Sequence, residues 1–247
     1  MSIEWISILI LVAMVGLMAM GLPLAWSIGA TAVGLVLLKF DPSVMFMLVS
    51  RVFDMSMNYT LMSVPLFVLM AGLLQRSCIA DQLFRAVNVW AGGLRGGLAI
   101  GTIIANAIMA SMVGVIGAEI VTFGLIALPE MLDKKYDHKL ALGSVAAGGG
   151  LATLIPPSVV FIVYGMTAGA SVSELFLAGV LPGFLLGAMF IFYVVWRVWR
   201  HPEAAPILAE DQRNLTIRQK LATLKELILP LFITAGVLGS IYTGVAT

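Results

Sequence analysis

Charge is scarce in this sequence: only 11% of its 247 residues are charged, 61% are hydrophobic, and the formal net charge is +1. That leaves too little polar surface for a soluble domain. The few basic residues lie between apolar runs rather than in one patch, which excludes nucleic acid as a partner on electrostatic grounds. Cysteine is nearly absent, and with Cys78 alone neither an intrachain disulfide nor a Cys-rich metal site can form. Histidine is almost as rare. His138 and His201 both fall in polar stretches, and no apolar run carries paired aspartates or a serine with a histidine partner, so the machinery of a membrane-embedded protease or acyl transferase is missing. Basic residues are also missing ahead of the first apolar run, "MSIEWISILI", which therefore reads as a retained segment rather than a cleavable signal peptide.

What is there is one apolar run after another, with a mean hydropathy of +1.06. The fold class that follows is an all-α polytopic membrane protein embedded in a lipid bilayer. Measured against the roughly 20 residues needed to cross a hydrocarbon core of about 30 Å, several runs have unusual lengths. Trp5 to Leu38 is interrupted by Gly21 and Pro23, and reads as two short spans or one broken one. Lys39 to Thr60 interleaves Lys39, Asp41, Arg51 and Asp54 with Met, Phe and Val, as in a helix lying along the interface. Leu61 to Leu74 reads as a span. Arg76, Asp81 and Arg85 then lie opposite Leu83, Phe84 and Val87 on an amphipathic helix expected at the membrane surface.

Gly96 to Pro129 carries Glu119 as its one charge and is too long for one span yet too short for two with a loop. A re-entrant hairpin fits, with limbs Gly97–Ala110 and Ala118–Met131 of about 21 Å each and a tip at Ser111–Gly117. Leu140 to Ala170 has no charge and contains Pro156-Pro157. Proline lacks an N–H, so the carbonyls of Ala152 and Thr153 lose their helical donors, and the segment should split into two half-helices around Ile155–Ser158. Leu175 to Trp196 is a span with a kink at Leu181-Pro182-Gly183, residues 197–226 form a polar linker, and Leu227 to Val245 is a last span.

Irregular backbone at membrane depth survives only where it lines a cavity, binds an ion or packs on protein. A hairpin tip and a broken helix in one chain are the usual parts of a secondary-transporter site, where freed carbonyls hold Na⁺. The plainer readings are that Pro156-Pro157 is a kink with Ser158 capping the second half-helix, and that Gly148, Gly149 and Gly150 only permit close helix packing. An ionisable residue in a membrane segment is a functional candidate, so Glu119 either contributes directly or sits in a wet cavity complementing a helix N-terminus. Asn106 is expected to bond between helices, and Ser111 to close the tip. A structural or partner-binding subunit without a site of its own would leave both breaks unexplained.

The ordered set "SVPLFVLMAGLL" (Ser63 to Leu74), "GGLAIG" (Gly96 to Gly101), "GLIALPEML" (Gly124 to Leu132), "LIPPS" (Leu154 to Ser158) with Tyr164-Gly165, and "LFLAGVLPGFLLG" (Leu175 to Gly187) resembles the large membrane subunit of the tripartite ATP-independent periplasmic (TRAP) transporters. The resemblance spans nearly the whole chain. It implies a sodium-coupled importer of organic anions such as carboxylates in the bacterial inner membrane, with Na⁺ as coupling ion and no other cofactor. A small membrane subunit and a periplasmic substrate-binding protein would be its partners. It also implies one inverted-repeat half of an elevator-type ion-transporter fold. Residues 1–60 would be the N-terminal segments and arm helix, 61–174 the transport-domain half, and 175–247 a span, the linker and a last span. The ion and substrate site would draw on Ser111, Gly114, Gly117, Ala152, Thr153, Pro156, Pro157 and Ser158, with backbone oxygens of Gly114, Ala152 and Thr153 on Na⁺ and with Asn106 and Glu119 as polar contributors. Val113-Gly114-Val115 stands where many members have serines around the tip glycine, and Gly150 and Ala152 replace a common Thr and Gly. Family members carry a second, inverted half, so the chain is expected to be the N-terminal half of such a subunit; the alternative is a truncated or split subunit with no transport activity alone. The basic loops at Lys134–Lys139 and in the linker are expected on the cytoplasmic side, and Ser171–Glu174 outside.

Overall fold

The computed structural model describes residues 3–39, 43–206 and 217–243, and among them it has eleven α-helices and no strand. The chain divides into two compact units, one up to Tyr59 and one from Thr60.

In the first unit, α1 (Ile3–Ala19) and α2 (Leu24–Lys39) are separate helices packed on each other, which resolves the Gly21-Pro23 interruption into a turn. Gly21 adopts φ +87°, a left-handed conformation that glycine takes without a side-chain clash. Both helices are hydrophobic on all sides, so neither has a face to hide. Ser27 is the one buried side chain among the described residues of this unit, its hydroxyl donating to the Pro23 carbonyl at 3.2 Å. The amphipathic helix α3 (Ser43–Ser56) buries none.

The second unit holds the core. Its helices are α4 (Tyr59–Arg76), α5 (Ile79–Ala91), α6 (Gly97–Val113), α7 (Ile116–Asp133), α8 (His138–Gly150), α9 (Val159–Ala168), α10 (Val172–Arg200) and α11 (Ile217–Tyr242). Helices α4 and α10 are long and apolar enough to cross a bilayer, while α1, α2, α6, α9 and the end of α11 are shorter apolar helices. The face of α5 that carries Leu83, Phe84 and Val87 is buried as its periodicity requires, but α6 and α11 cover it, and Phe84 meets Phe123 of α7 edge-on at 6.4 Å. Protein rather than the membrane surface is its counterpart.

Helix α8 packs extensively on both α6 and α7 and so ties the limbs of the hairpin together. Its sequence, "HKLALGSVAAGGG", is small-residue rich, which lets backbones approach where the bilayer supplies no hydrophobic drive between helices. Asp137 caps it by accepting from the Lys139 N–H at 2.9 Å. At the other end α10 opens with Ser171 accepting from the Glu174 N–H, and it continues unbroken through Pro182. The stretch read as a linker is partly structured: a 3₁₀ turn at Pro202–Ala204 packs back on the α7–α8 turn, and α11 begins at Ile217, ten residues ahead of Leu227. Residues 207–216 and 244–247 lie outside the described residues.

Candidate functional site

The hairpin is tighter than its sequence implies. Helix α6 runs to Val113 and α7 starts at Ile116, so the turn is Gly114-Val115 alone, and the limbs measure about 25 and 27 Å at helical rise. Ser111 and Gly117 therefore stand inside helices rather than in the tip. Gly114 caps α6 at φ +63°, with its N–H bonded to the Ala110 carbonyl.

The break in the second segment begins early. Helix α8 ends at Gly150, a 3₁₀ turn covers Leu151–Thr153, and α9 starts only at Val159. The cause is the pair of missing donors: an α-helical carbonyl at Ala152 or Thr153 would need the N–H of residue 156 or 157, and both are proline. The last i→i−4 bond before the prolines runs from the Ile155 N–H to the Leu151 carbonyl at 2.8 Å, and among the described residues no backbone donor reaches Ala152 O or Thr153 O.

Tip and break meet. The Val159 N–H donates to the Gly114 carbonyl at 3.3 Å, and the Gly114 Cα lies so close to the Pro157 carbonyl that a side-chain carbon there would overlap it and fall 3.2 Å from Ser158 Cα. Ser158 occupies the N-cap position of α9, but its hydroxyl makes no capping bond; it is fully buried with no hydrogen-bond partner. Asn106, also fully buried, does not bond between helices. Its Nδ2 donates to Thr102 O one turn earlier at 2.9 Å, its Oδ1 has no partner, and the amide packs against Gly148 of α8. Glu119 lies in the first turn of α7, 1% exposed, on the buried stripe with Phe123, Ala127 and Met131, and neither carboxylate oxygen has a hydrogen-bond partner. The next residue, Ile120, presses on Gly149 of α8. Gly148 and Gly149 are thus required by packing, whereas Gly150 and Gly117 face open space.

Two features escaped the sequence reading. Gly179 and Gly183 of α10 hold the break from its other side: a Cβ on Gly179 would come within 2.7 Å of the Leu154 carbonyl, and one on Gly183 within 3.0 Å of Ile155 Cγ1. Their four-residue spacing in "AGVLPGFLLG", continued by Gly187, is the small-residue pattern of close helix packing and was there to be read. The second feature is the Ser111 hydroxyl, which meets Thr234 Oγ of α11 at 3.0 Å rather than closing the tip. No local pattern links residues so far apart. The pair sits in a cleft of about 590 Å³ bounded by α6, Ile155-Pro156, α10 and α11, lined among the described residues almost wholly by apolar side chains and by no charged one. Such a cleft has nothing to neutralise a carboxylate. Among the described residues no group of His, Cys, Asp or Glu could hold a transition metal.

Comparison with known proteins agrees with the resemblance. The family model for the DctM component of the tripartite ATP-independent periplasmic transporter matches residues 11–247. The chain is 34% identical over 215 residues to the C4-dicarboxylate TRAP transporter large permease protein DctM of Pseudomonas aeruginosa, covering 86% of this chain and 48% of that protein. It is 30% identical to the permease of the same description from Vibrio cholerae, over 97% of this chain and 51% of that one. It is 29% identical to the ectoine TRAP transporter large permease protein TeaC of Halomonas elongata, over 93% and 54%. The chain spans about half the length of these curated relatives. It belongs to the DctM family, a family of transporter components rather than enzymes.

Proposed function

We propose that this member of the DctM family forms the first half of a sodium-coupled large permease that imports a small organic anion across the bacterial inner membrane. The anion would be delivered by a periplasmic binding protein, with a small membrane subunit as second partner. The observation that carries the reading is the seating of the Gly114 tip on Pro157–Val159, beside the donor-free carbonyls of Ala152 and Thr153 and the unpartnered Ser158 hydroxyl. These are uncharged oxygens in a packed interior, a donor set that suits a hard monovalent cation. Gly114 O keeps one lone pair free beside the bond it accepts from Val159. Asn106 Oδ1 and Glu119 are further unpartnered oxygens on the two limbs, Pro156 and Pro157 shape the break around the ion, and Ser111 and Gly117 flank the turn from within the helices.

The substrate site is shared with a second half. Both the half-length coverage of the relatives and the absence of any cation among the described residues lining the α6–α10–α11 cleft support this. In inverted-repeat carriers the substrate lies between the repeats, and one repeat-bearing body moves against a scaffold. Relatives named for C4-dicarboxylates and for ectoine match this chain at similar identity, which supports a small organic acid as the substrate class.

The test is uptake by the full-length transporter in proteoliposomes with its binding protein and small subunit. Pro156→Ala with Pro157→Ala restores two donors to Ala152 and Thr153, and the half-saturating sodium concentration should rise by roughly tenfold, about 1.4 kcal/mol of ion binding. Unchanged sodium dependence overturns the assignment. Orientation is tested by cysteine labelling in a Cys78→Ser background: a cysteine at Ser173 reacts with an impermeant reagent in intact cells, and reaction only after lysis reverses the topology.

A further inference from the structure

A second cleft, of about 490 Å³, lies between α8 and α10 with Ile103 of α6 at its floor, and its two ends differ in kind. The body is apolar, walled by Leu140, Leu186, Phe190 and Val194, whereas Lys139 and Arg197 stand together at the mouth. Arg197 lies near two carboxylates, Asp137 at 3.8 Å, the outer limit of an ion pair, and more remotely Glu203, whereas Lys139 has no ion-pair partner among the described residues. Lys139 is thus the cation at the mouth that no described carboxylate pairs. It also lies where α10 changes from apolar to aromatic and basic. Trp196 carries Arg200 over its ring at 5.0 Å, and Trp199 is 78% exposed. Exposed tryptophans at one end of a spanning helix sit at headgroup level.

From this geometry we propose that the α8–α10 cleft binds a membrane phospholipid with an anionic headgroup, one acyl chain lying along the apolar wall and the phosphate between Lys139 and Arg197. Charge complementarity selects this occupant. A neutral helix of another polypeptide would leave the Lys139 ammonium unmatched at the membrane interface, and a free phosphate would leave the apolar body unfilled. Basic pockets between membrane helices are recurrent sites for anionic headgroups. The proposal is independent of the sodium site, with which it shares no residue.

The purified chain is examined by native mass spectrometry with palmitoyl-oleoyl phosphatidylglycerol or phosphatidylcholine, which share acyl chains and differ in net headgroup charge. Phosphatidylglycerol should be retained over phosphatidylcholine by roughly tenfold. Lys139→Gln with Arg197→Gln should abolish that preference. Gly143→Phe is the second arm, because Gly143 lines the cleft and a side chain there meets nothing within 4 Å; it fills the body with both cations in place and should lower retention of both lipids. Equal retention of the two lipids by the parent chain, or a preference that survives the double substitution, overturns the proposal. So does displacement of phosphatidylglycerol by inorganic phosphate alone, or a photocrosslinker at Gly143 that captures a polypeptide in membranes instead of lipid.

Discussion

Two helical hairpins in this chain look alike in sequence and differ in what holds them. The α1–α2 and α6–α7 pairs are each two apolar helices of 16 to 18 residues joined by a short turn with a left-handed glycine, Gly21 or Gly114. In the first pair the turn is held by its own neighbours, as in the bonds from Met20 to Gly16 and from Leu22 to Leu17, and Gly16, Gly21, Gly29 and Gly34 all face open space. In the second pair the turn is bonded to a residue 45 positions away, and the glycines of the helix between its limbs are filled by Asn106 and Ile120. A membrane supplies little hydrophobic force between helices, so small residues in contact distinguish a packed element from a lipid-facing one. Hydropathy alone does not.

The comparison breaks most sharply at the two turn glycines. Gly21→Ala and Gly114→Ala share the backbone cost of a left-handed alanine, about 1–2 kcal/mol. Only the second also drives a methyl group into the Pro157 carbonyl. Gly114→Ala should lower the melting temperature by more than Gly21→Ala and remove sodium-dependent uptake in the full-length transporter. Equal shifts for the two would show that the tip is not seated on the break.

A finer cut uses adjacent glycines of one helix. Gly149→Ala meets the side chain and backbone of Ile120, and should cost about 1–3 kcal/mol by overpacking. Gly150→Ala meets nothing and should be neutral within about 0.5 kcal/mol. Thermal unfolding in one detergent separates them. Ser158→Ala sharpens the contrast between packing and binding: the hydroxyl has no protein partner to lose, so stability should hold or rise slightly. Sodium affinity in uptake should nonetheless fall severalfold, and a loss of stability without a sodium effect would make Ser158 a structural residue.

The sequence carried the topology of this region and less of its detail. The hairpin, the broken helix and the turn glycine follow from backbone chemistry that acts locally: a run of the wrong length, a missing donor, a residue that tolerates positive φ. The tip was read too wide, because Ser111 and Gly117 are compatible with turns yet stay helical when α8 packs between the limbs. The break starts ahead of Ile155, because α8 gives way at Leu151 to a 3₁₀ turn. The cover over α5, the Ser111–Thr234 pair and the silence of the Ser158 and Asn106 oxygens depend on segments distant in the chain, which no local periodicity encodes.

A modest loss is expected at the opposite end of the same hairpin, where the α7–α8 turn shows long-range tethering in miniature. The Asp137 N–H donates to Ala204 O at 2.9 Å, and the hydroxyl of buried Tyr136 accepts from the Leu98 N–H at 3.4 Å, one of the donors a helix leaves free in its first turn. Tyr136→Phe leaves that buried N–H unpaired, and because the bond is long the cost should be about 1 kcal/mol or less. Titration reads the burial of the phenol itself. Burial raises the Tyr136 phenol above its ordinary value, the Leu98 N–H pulls it the other way, and Glu130 adds to the rise. The unfolded chain therefore loses this proton first, near the ordinary value of about 10. The contribution is whole below that pH and fades as the pH climbs through the higher folded value. Melting temperature should consequently fall more steeply above about pH 10 in the parent than in Tyr136→Phe. Parallel alkaline slopes would show that the Tyr136 phenol is not withdrawn from water in the folded chain.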